Sequence, residues 1–299
     1  MNSPLPNFLI VGAAKSGTSS LHNYLNQHPD IFMPTFKNSI KVKEPRFLVK
    51  DKICGRVNHI DNFKEYKKLF NNSSEKARGE ASVFYLFFYE EAISNIKKYL
   101  GNNVKIIIIL RNPVERALSA YNHVSRTSSE YLTFDEAIRT EKLRYENNKK
   151  LTPMINYKSM GLYYKMVKAY LDNFNCVKLI FFEDFKLNPL NSVKECFEFL
   201  NLNTNVEINV SQRFNSGGKR WLNNKYKWIY NSKKYFLKPL KYFVSFEKRK
   251  KINTWFFNRF TFENNQISKK NKKYLINYFK EDVNRLSLLI NKDLDHWLK

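Results

Sequence analysis

A short apolar run that leads directly into a glycine-containing loop constrains the fold of this chain most. Residues 8–11 (FLIV) have the length and continuous apolar character of a buried parallel strand. The loop GAAKSGTSS follows, with Gly12 and Gly17 bounding its first part, and apolar residues then recur at helical spacing over 21–25 until Pro29. This pattern predicts a strand–loop–helix unit. The backbone N–H groups of its loop and the positive end of its helix dipole are suited to an anion.

A second unit of the same kind lies in the middle of the chain. Residues 104–110 (VKIIIIL) form another continuous apolar run and continue into RNPVERALSAYNHV. Asn112 is suited to cap a helix, Pro113 to its first position and Glu115 to its third. We therefore predict a strand followed by a tight turn and a helix.

A third unit has the reverse order. Residues 161–174 read as a helix, 177–185 as a strand and 189–200 as a further helix. Strands that alternate with helices predict a mostly parallel sheet with helices on both faces, and ligands of such sheets bind outside the carboxyl ends of the strands. We predict one α/β domain over residues 1–299, with a central parallel sheet flanked by helices and a basic-aromatic helical segment at 221–265.

The charge of the chain favours an anionic partner. Fifty-two Lys and Arg residues against 27 Asp and Glu give a formal net charge of +25. Such a charge fits a nucleotide, an acidic glycan, nucleic acid or an acidic membrane surface, although many of the lysines can equally form a solvated face. Three cysteines without metal-ligand spacing, an N-terminus unlike a signal peptide and no long apolar segment lead us to expect a soluble, cytoplasmic protein.

The first loop carries one lysine and several hydroxyl groups. Lys15 adds a positive charge, and Thr18, Ser19 and Ser20 add hydrogen-bond donors. A Walker A loop of ATP or GTP enzymes would require lysine directly after the second glycine, whereas Thr18 stands there and Lys15 precedes Gly17 by two residues. The loop therefore predicts a phosphate-type anion site of another class.

The segment FLIVGAAKSGTSSL resembles the 5′-phosphosulfate-binding loop of sulfotransferases that use PAPS (3′-phosphoadenosine 5′-phosphosulfate), whose core reads roughly K-[SGT]-G-T-[ST]. The resemblance implies a P-loop-like, nucleotide-kinase-like fold. It also implies that Lys15 contacts the donor and stabilises charge on the leaving phosphate, as a cation directed at developing charge does. The residues that it implies as the cradle of the 5′-phosphosulfate are Ser16, Gly17, Thr18, Ser19 and Ser20.

Two later segments resemble further donor-binding parts of this family. LRNPVERALSAY resembles the 3′-phosphate-binding segment, which implies that Arg111 and Ser119 bind the 3′-phosphate. Arginine suits this role because its guanidinium can bind phosphate bidentately. NSGGKRW resembles a late basic loop that folds over the donor, which implies contacts from Gly218, Lys219 and Arg220, with a surface turn as the alternative.

The segment KVKEPRFL resembles the K-E-x-x-[FY]-[FL] segment of glycosaminoglycan-type sulfotransferases, whose glutamate is the general base. The match implies that Glu44 is the base here, and that the acceptor is a hydroxyl or amine, most consistently on a carbohydrate. Among Lys41, Lys43 and Arg46 this carboxylate would have a lowered pKa. A surface ion-pair cluster is the alternative interpretation.

RGEASVFYL resembles another family segment, in which a lysine often follows the glutamate. Glu80 matches the glutamate, but Ala81 stands at the lysine position, so Glu80 is a structural or substrate-contacting candidate. His123 and His59 are the alternatives for the base, and Lys43, Arg46 and His123 are further substrate-binding candidates. The resemblance implies PAPS as donor, 3′-phosphoadenosine 5′-phosphate (PAP) as product and no metal.

Two other functions stay open at this point. A P-loop-like small-molecule kinase would need a magnesium-binding acid, for which Asp184 at the end of a strand is a candidate. A nucleic-acid or membrane-surface binding protein could use the basic-aromatic stretch 221–260. We prefer to place that stretch in the acceptor cleft, expect no nucleic acid, and keep open a peripheral association with an anionic membrane. The acceptor and the oligomeric state stay undecided.

Overall fold

The computed structural model describes residues 4–37, 40–41, 43–126, 130–212, 219–221, 255, 259, 261–263 and 267–299, with the backbone alone at 36–37, 40–41, 219–221 and 261–263. The strands of the central sheet are β1 Phe8–Gly12, β2 Ile31–Phe32, β5 Ala77–Glu80, β6 Lys105–Leu110 and β7 Val177–Phe181. These five strands are parallel and lie in the order β2-β5-β1-β6-β7. This confirms the predicted α/β class and the parallel sheet.

Two small antiparallel ribbons accompany the sheet. They pair β3 Phe36–Lys37 with β4 Ile40–Lys41, and β8 Lys219–Trp221 with β9 Thr261–Glu263. Residues 222–254 of the predicted helical segment lie outside the described residues. Residues 261–263, at its other end, form a strand where a helix was predicted.

Ten α-helices are described. Their bounds are α1 Thr18–Leu25, α2 Lys50–Ile53, α3 Phe63–Lys68, α4 Tyr89–Tyr99, α5 Pro113–Arg126, α6 Phe134–Asn147, α7 Tyr163–Asn173, α8 Phe182–Leu187, α9 Pro189–Leu200 and α10 Lys269–Ile290. Short 3₁₀ turns occupy Phe47–Val49, Pro153–Ile155, Ser159–Gly161 and Asp295–Leu298. Among these described helices, none combines the length and the apolar character needed to cross a bilayer.

The apolar strands are buried because helices cover both faces of the sheet. Side chains alternate between faces along a strand, so Ile107 and Ile109 of β6 pack into the core on the side of α1 and α9. Ile106 and Ile108 pack into the larger core on the other side, which includes α4, α5 and α7. All four are fully buried, which explains why the sequence of β6 is continuously apolar.

The third unit differs from its prediction at one junction. The strand predicted over 177–185 ends at Phe181, and the chain turns directly into α8, so Asp184 lies in a helix. Glu183 accepts a hydrogen bond from the backbone N–H of Asn112 at 2.9 Å. This contact ties the first turn of α8 to the residue that caps α5, and it cannot be seen in a local pattern.

Candidate active site

A cleft of about 1060 Å³ opens at the carboxyl edge of the sheet. The loop after β1, the beginning of α5 after β6, and α8 after β7 all face it, as the position of ligand sites in parallel sheets predicts. The residues that line it include Lys15, Gly17, Thr18, Ser19, Ser20, Glu44, Arg111, Asn112, Ser119, Asn122, His123, Phe182, Lys186, Lys272, His296 and Trp297.

The backbone of the first loop requires glycine at residue 17. Gly17 has φ +91°, and a β-carbon there would lie 3.1 Å from the ring of Phe182. The loop therefore packs tightly against α8 at the start of α1. Gly17, which precedes the first residue of α1, has no side chain to cap it, and a helix N-terminus of this kind is suited to an anion. Ser16 is fully buried, and its hydroxyl has no hydrogen-bond partner in the described part of the chain.

Lys15 concentrates positive charge beside this loop. Burial, together with repulsion from Arg126, Arg111 and Lys43, lowers its pKa to about 8 against the attraction of Glu44. Its ammonium group makes no ion pair or hydrogen bond with the described residues. Because burial and neighbouring cations disfavour the charged form of Lys15, a bound anion would stabilise this charge more than it would stabilise an exposed lysine.

Glu44 is held by two cations. Arg46 donates to Oε2 of Glu44 from Nε at 3.1 Å and from Nη2 at 2.8 Å, and the ammonium of Lys43 lies 3.5 Å from Oε1. Burial raises the pKa of Glu44, but Lys43 and Arg46 outweigh this effect and hold the pKa below its ordinary value. The carboxylate is therefore ionised at neutral pH. The ion pairs predicted with Lys43 and Arg46 are present, whereas the side chain of Lys41 lies outside the described residues.

Lys43 joins the Glu44 segment to the phosphate-type loop. It is 4% exposed, and its ammonium donates to Oγ of Ser19 at 3.1 Å. The candidate base and the candidate donor loop are thus connected through one buried cation. Arg46 does not line the cleft itself and contacts it through Glu44.

Arg111 and Ser119 both face the cleft. Arg111 follows the last residue of β6, forms an ion pair with Glu115 at 2.8 Å, and lies over the ring of Phe182 at 4.6 Å. One of its Nη atoms also donates to the backbone carbonyl of Lys15 at 3.3 Å. The predicted cap is present, since Oδ1 of Asn112 accepts hydrogen bonds from the first turn of α5.

His123 and Arg126 extend the same face of α5 towards Lys15. Nη2 of Arg126 lies 3.2 Å from Nδ1 of His123. Burial, then the charges of Lys15 and Arg126, lower the pKa of His123 to about 4, so its imidazole is neutral at neutral pH. His59, the other histidine alternative, pairs with Asp61 at 2.9 Å and does not line the cleft.

Several predicted residues lie away from the cleft or beyond the described structure. Glu80 is fully buried and does not line the cleft, so its position fits a structural role and not the substrate contact. Asp184 lies in α8, pairs with Lys292 at 3.5 Å and does not line the cleft. The kinase alternative thereby loses its candidate magnesium ligand. Gly218 and the side chains of residues 219–220 lie outside the described residues, although the backbone of β8 runs beside α5.

The sequence reasoning missed other residues of the site. Asn122 and Arg126 share a face of α5 with Ser119, and their spacing of three and seven residues from it was a usable signal. Lys186, Lys272, His296 and Trp297 reach the cleft only through packing between distant segments. Within the described ranges, no group of three His, Cys, Asp or Glu side chains could hold a metal ion.

Comparisons with known proteins support the fold and indicate a family. A family model described as "Sulfotransferase domain" matches residues 5–281. A crystal structure of a sulfotransferase from Alicyclobacillus acidocaldarius is 32% identical, with a TM-score of 0.74, and the match covers 99% of this chain and 100% of that one.

Curated relatives are longer proteins. The membrane-associated sulfotransferase kil1 of Dictyostelium discoideum is 35% identical over 40% of this chain and 23% of its own length. The human bifunctional heparan sulfate N-deacetylase/N-sulfotransferase 2 is 26% identical over 73% of this chain and 24% of its own length. The matches therefore span about a quarter of these relatives.

Proposed function

The chain belongs to the sulfotransferase domain family, and we propose that it moves a sulfuryl group from PAPS to a hydroxyl or amine of a carbohydrate. One observation carries the proposal. The cleft combines Lys15, a cation disfavoured by its neighbours, with Glu44, a carboxylate kept ionised by its neighbours. Sulfuryl transfer needs such a pair, because one group must neutralise developing negative charge while another accepts a proton.

The donor would be held through its two phosphate ends. The N–H groups at the start of α1 and the hydroxyls of the loop would bind the 5′-phosphosulfate. Arg111 and Ser119 would bind the 3′-phosphate, helped by the basic residues 219–220. The Arg111–Glu115 ion pair is exposed on its carboxylate side, so exchanging Glu115 for a phosphate costs little.

In the proposed step the acceptor oxygen or nitrogen bonds to sulfur while the bond from sulfur to the bridging oxygen of the 5′-phosphate breaks. Glu44 accepts the proton that the acceptor loses. Lys15 stabilises the charge that gathers on the departing phosphate, and PAP is the product. The chain's own residues thus supply alignment, charge stabilisation and a base.

A carbohydrate acceptor is proposed for two reasons. The Glu44 segment resembles that of glycosaminoglycan-type members, and the names of several relatives include heparan sulfate N-sulfotransferase activity. A net charge of +25 would also attract an acidic glycan to the cleft. We propose no nucleic-acid partner.

The proposal is tested with PAPS labelled on sulfur and a panel of acceptors. N-deacetylated heparosan offers hydroxyls and amines, and simple phenols and lipids serve as comparison acceptors. Transfer of label to the polysaccharide is the expected result. Transfer to phenols or lipids but to no glycan would contradict the carbohydrate part of the proposal, and no transfer from PAPS to any acceptor would contradict the reaction.

A further inference from the structure

The peptide group between Arg111 and Asn112 is held on both of its sides by side chains from other elements. Oη of Tyr163, at the start of α7, donates to the carbonyl of Arg111 at 3.0 Å. Oε1 of Glu183, in the first turn of α8, accepts the N–H of Asn112 at 2.9 Å. Because this carbonyl and this N–H belong to one planar unit, the two bonds fix its orientation. They thereby fix the backbone from which the side chain of Arg111 extends.

Glu183 acts on the cleft from outside it. Its side chain is half-buried and does not line the cleft, whereas Arg111 and Asn112 do. Of its two carboxyl oxygens, only Oε1 has a hydrogen-bond partner in the described part of the chain. The bond to the N–H of Asn112 is therefore what connects this carboxyl to the site.

The residue before Glu183 contacts the guanidinium of the same arginine. The ring of Phe182 lies 4.6 Å from the guanidinium of Arg111, and it also borders the loop at Gly17. One Nη atom of Arg111 donates to the carbonyl of Lys15 at 3.3 Å. Two consecutive residues of α8 thus contact Arg111, one through its guanidinium and the other through the peptide group that follows it.

The ion pair of Arg111 is open to exchange. Its partner Glu115 is 58% exposed, and their nitrogen and oxygen atoms lie 2.8 Å apart. A bound phosphate would compete with Glu115 for the same guanidinium. Once a phosphate takes the place of Glu115, the direction of the arginine depends on Phe182 and on the backbone that Glu183 holds.

We infer that Glu183 is a positioning residue for Arg111: by accepting the N–H of Asn112, it holds the turn from β6 to α5 in the orientation that directs the guanidinium at the ligand. This inference rests on the proposed function, in which Arg111 binds the 3′-phosphate of the donor. Bidentate binding of phosphate depends on the direction of the planar guanidinium. Loss of the hold should therefore weaken recognition of the 3′-phosphate and spare that of the 5′ end, which the loop before α1 would bind.

Calorimetric binding of PAP and of adenosine 5′-phosphate (AMP), which lacks the 3′-phosphate, tests this on wild type, Glu183→Leu and Glu183→Gln. Wild type should bind PAP more tightly than AMP. Glu183→Leu cannot accept the N–H, and it should lose about fivefold or more in affinity for PAP while its affinity for AMP stays within about twofold of wild type. Glu183→Gln keeps a carbonyl oxygen as acceptor and should retain the preference for PAP.

Amide hydrogen exchange of Asn112 in the free protein reports on the bond itself. This N–H should exchange about tenfold or more faster in Glu183→Leu than in wild type, and Glu183→Gln should exchange like wild type. Because the measurement needs no ligand, it tests the hold on the peptide group separately from the proposed function.

Glu136→Leu is the matched control. Glu136 also lies in the first turn of a helix, and its Oε2 accepts the backbone N–H of Thr133 at 2.8 Å, on α6 outside the cleft. It should leave both affinities and the exchange of Asn112 unchanged. If Glu183→Leu does not fold, Tyr163→Phe removes the hydroxyl on the other side of the same peptide group and should lower the affinity for PAP but not for AMP.

The outcomes that overturn the two proposals are distinct. Unchanged exchange of Asn112 or unchanged PAP affinity in Glu183→Leu overturns the positioning role, as do equal losses for PAP and AMP or an equal loss in Glu183→Gln. A wild type that binds PAP no more tightly than AMP contradicts the proposed function instead, whatever the exchange of Asn112 shows.

Discussion

At the scale of single residues, the charge on Lys15 is central to the account. Burial and neighbouring cations lower its pKa to about 8, so the ammonium is protonated below this pH and increasingly neutral above it. A bound anion favours the protonated form. The affinity for an anionic nucleotide should therefore fall as pH rises through and beyond 8.

We predict that PAP affinity of the wild type decreases between about pH 7 and pH 9.5, and that Lys15→Met removes this step. Lys15→Met should also slow sulfuryl transfer by about 10²–10³-fold, as loss of a group that stabilises developing charge does. Calorimetry across this pH range is the measurement. Equal pH profiles for the two proteins would show that Lys15 does not contact the anion.

Glu44 and His123 compete for the role of base. Both are unprotonated at neutral pH, but by different causes: the cations Lys43 and Arg46 stabilise the charge of Glu44, whereas burial beside Lys15 and Arg126 keeps His123 neutral. The carboxylate is the favoured base because Lys43, which pairs with it, also donates to Ser19 of the donor loop.

Glu44→Gln should reduce the transfer rate by about 10²–10⁴-fold with PAP affinity nearly unchanged. His123→Asn should cost less than about tenfold, and Glu65→Gln, which removes the charge of an ion pair with Lys68 outside the cleft, should have no effect. Transfer rates at saturating PAPS distinguish Glu44 from His123 as the base. A larger loss in His123→Asn than in Glu44→Gln would assign the base to the histidine.

At the scale of elements, the contact between the first loop and α8 shapes the cleft. Gly17 and Gly101 both have φ near +90°, so alanine strains the backbone at either position. They differ in surroundings: a β-carbon at 17 would meet Phe182 at 3.1 Å, whereas nothing lies within 4 Å of one at 101. Comparing alanine variants at these two glycines therefore separates the effect of backbone strain from the effect of losing the contact with α8.

Gly17→Ala and Gly101→Ala should each cost about 1–2 kcal/mol of stability for the strained backbone, with Gly17→Ala the larger loss. Only Gly17→Ala should weaken PAP binding, because it shifts the loop away from α8. Urea unfolding and calorimetry on both variants give the two quantities. Normal PAP affinity in Gly17→Ala would contradict the importance of this contact.

The elements also show what the sequence could and could not predict. The sequence was sufficient to predict β1, β6 and the start of α5, because their apolar runs and capping residues each lie within a few residues. The junction of β7 with α8 was not predictable, because Glu183 is bound by Asn112, 71 residues away. Likewise Lys15 and Arg111 followed from local motifs, whereas Lys272 and His296 join the cleft only through the tertiary fold.

At the scale of the whole molecule, Glu80 couples stability to pH. Burial in the folded protein raises the pKa of Glu80 from 4.5 to about 7. The native protein therefore binds this proton more tightly than the unfolded chain does. The stability that this group contributes is complete below pH 4.5 and is lost as pH rises through 7. Ionised Glu80 thus opposes folding at neutral and higher pH.

Between about pH 5 and pH 8, wild type should lose up to about 3 kcal/mol of stability relative to Glu80→Gln, which cannot ionise. Urea unfolding of both proteins at several pH values measures this difference. A difference in stability that does not change with pH would show that Glu80 keeps an ordinary pKa.

The measurement that tests the central claim most directly is calorimetric binding of PAP to wild type, Arg111→Ala and Arg139→Ala. Arg139 is a matched control, since it also pairs with a carboxylate one helical turn away and lies 4.6 Å from an aromatic ring, but on α6 outside the cleft. We predict that wild type binds PAP in preference to ATP, that Arg111→Ala loses about tenfold or more in affinity, and that Arg139→Ala binds like wild type. Absence of PAP binding by the wild type, or equal affinities for all three proteins, would contradict the assignment of this cleft to the sulfuryl donor.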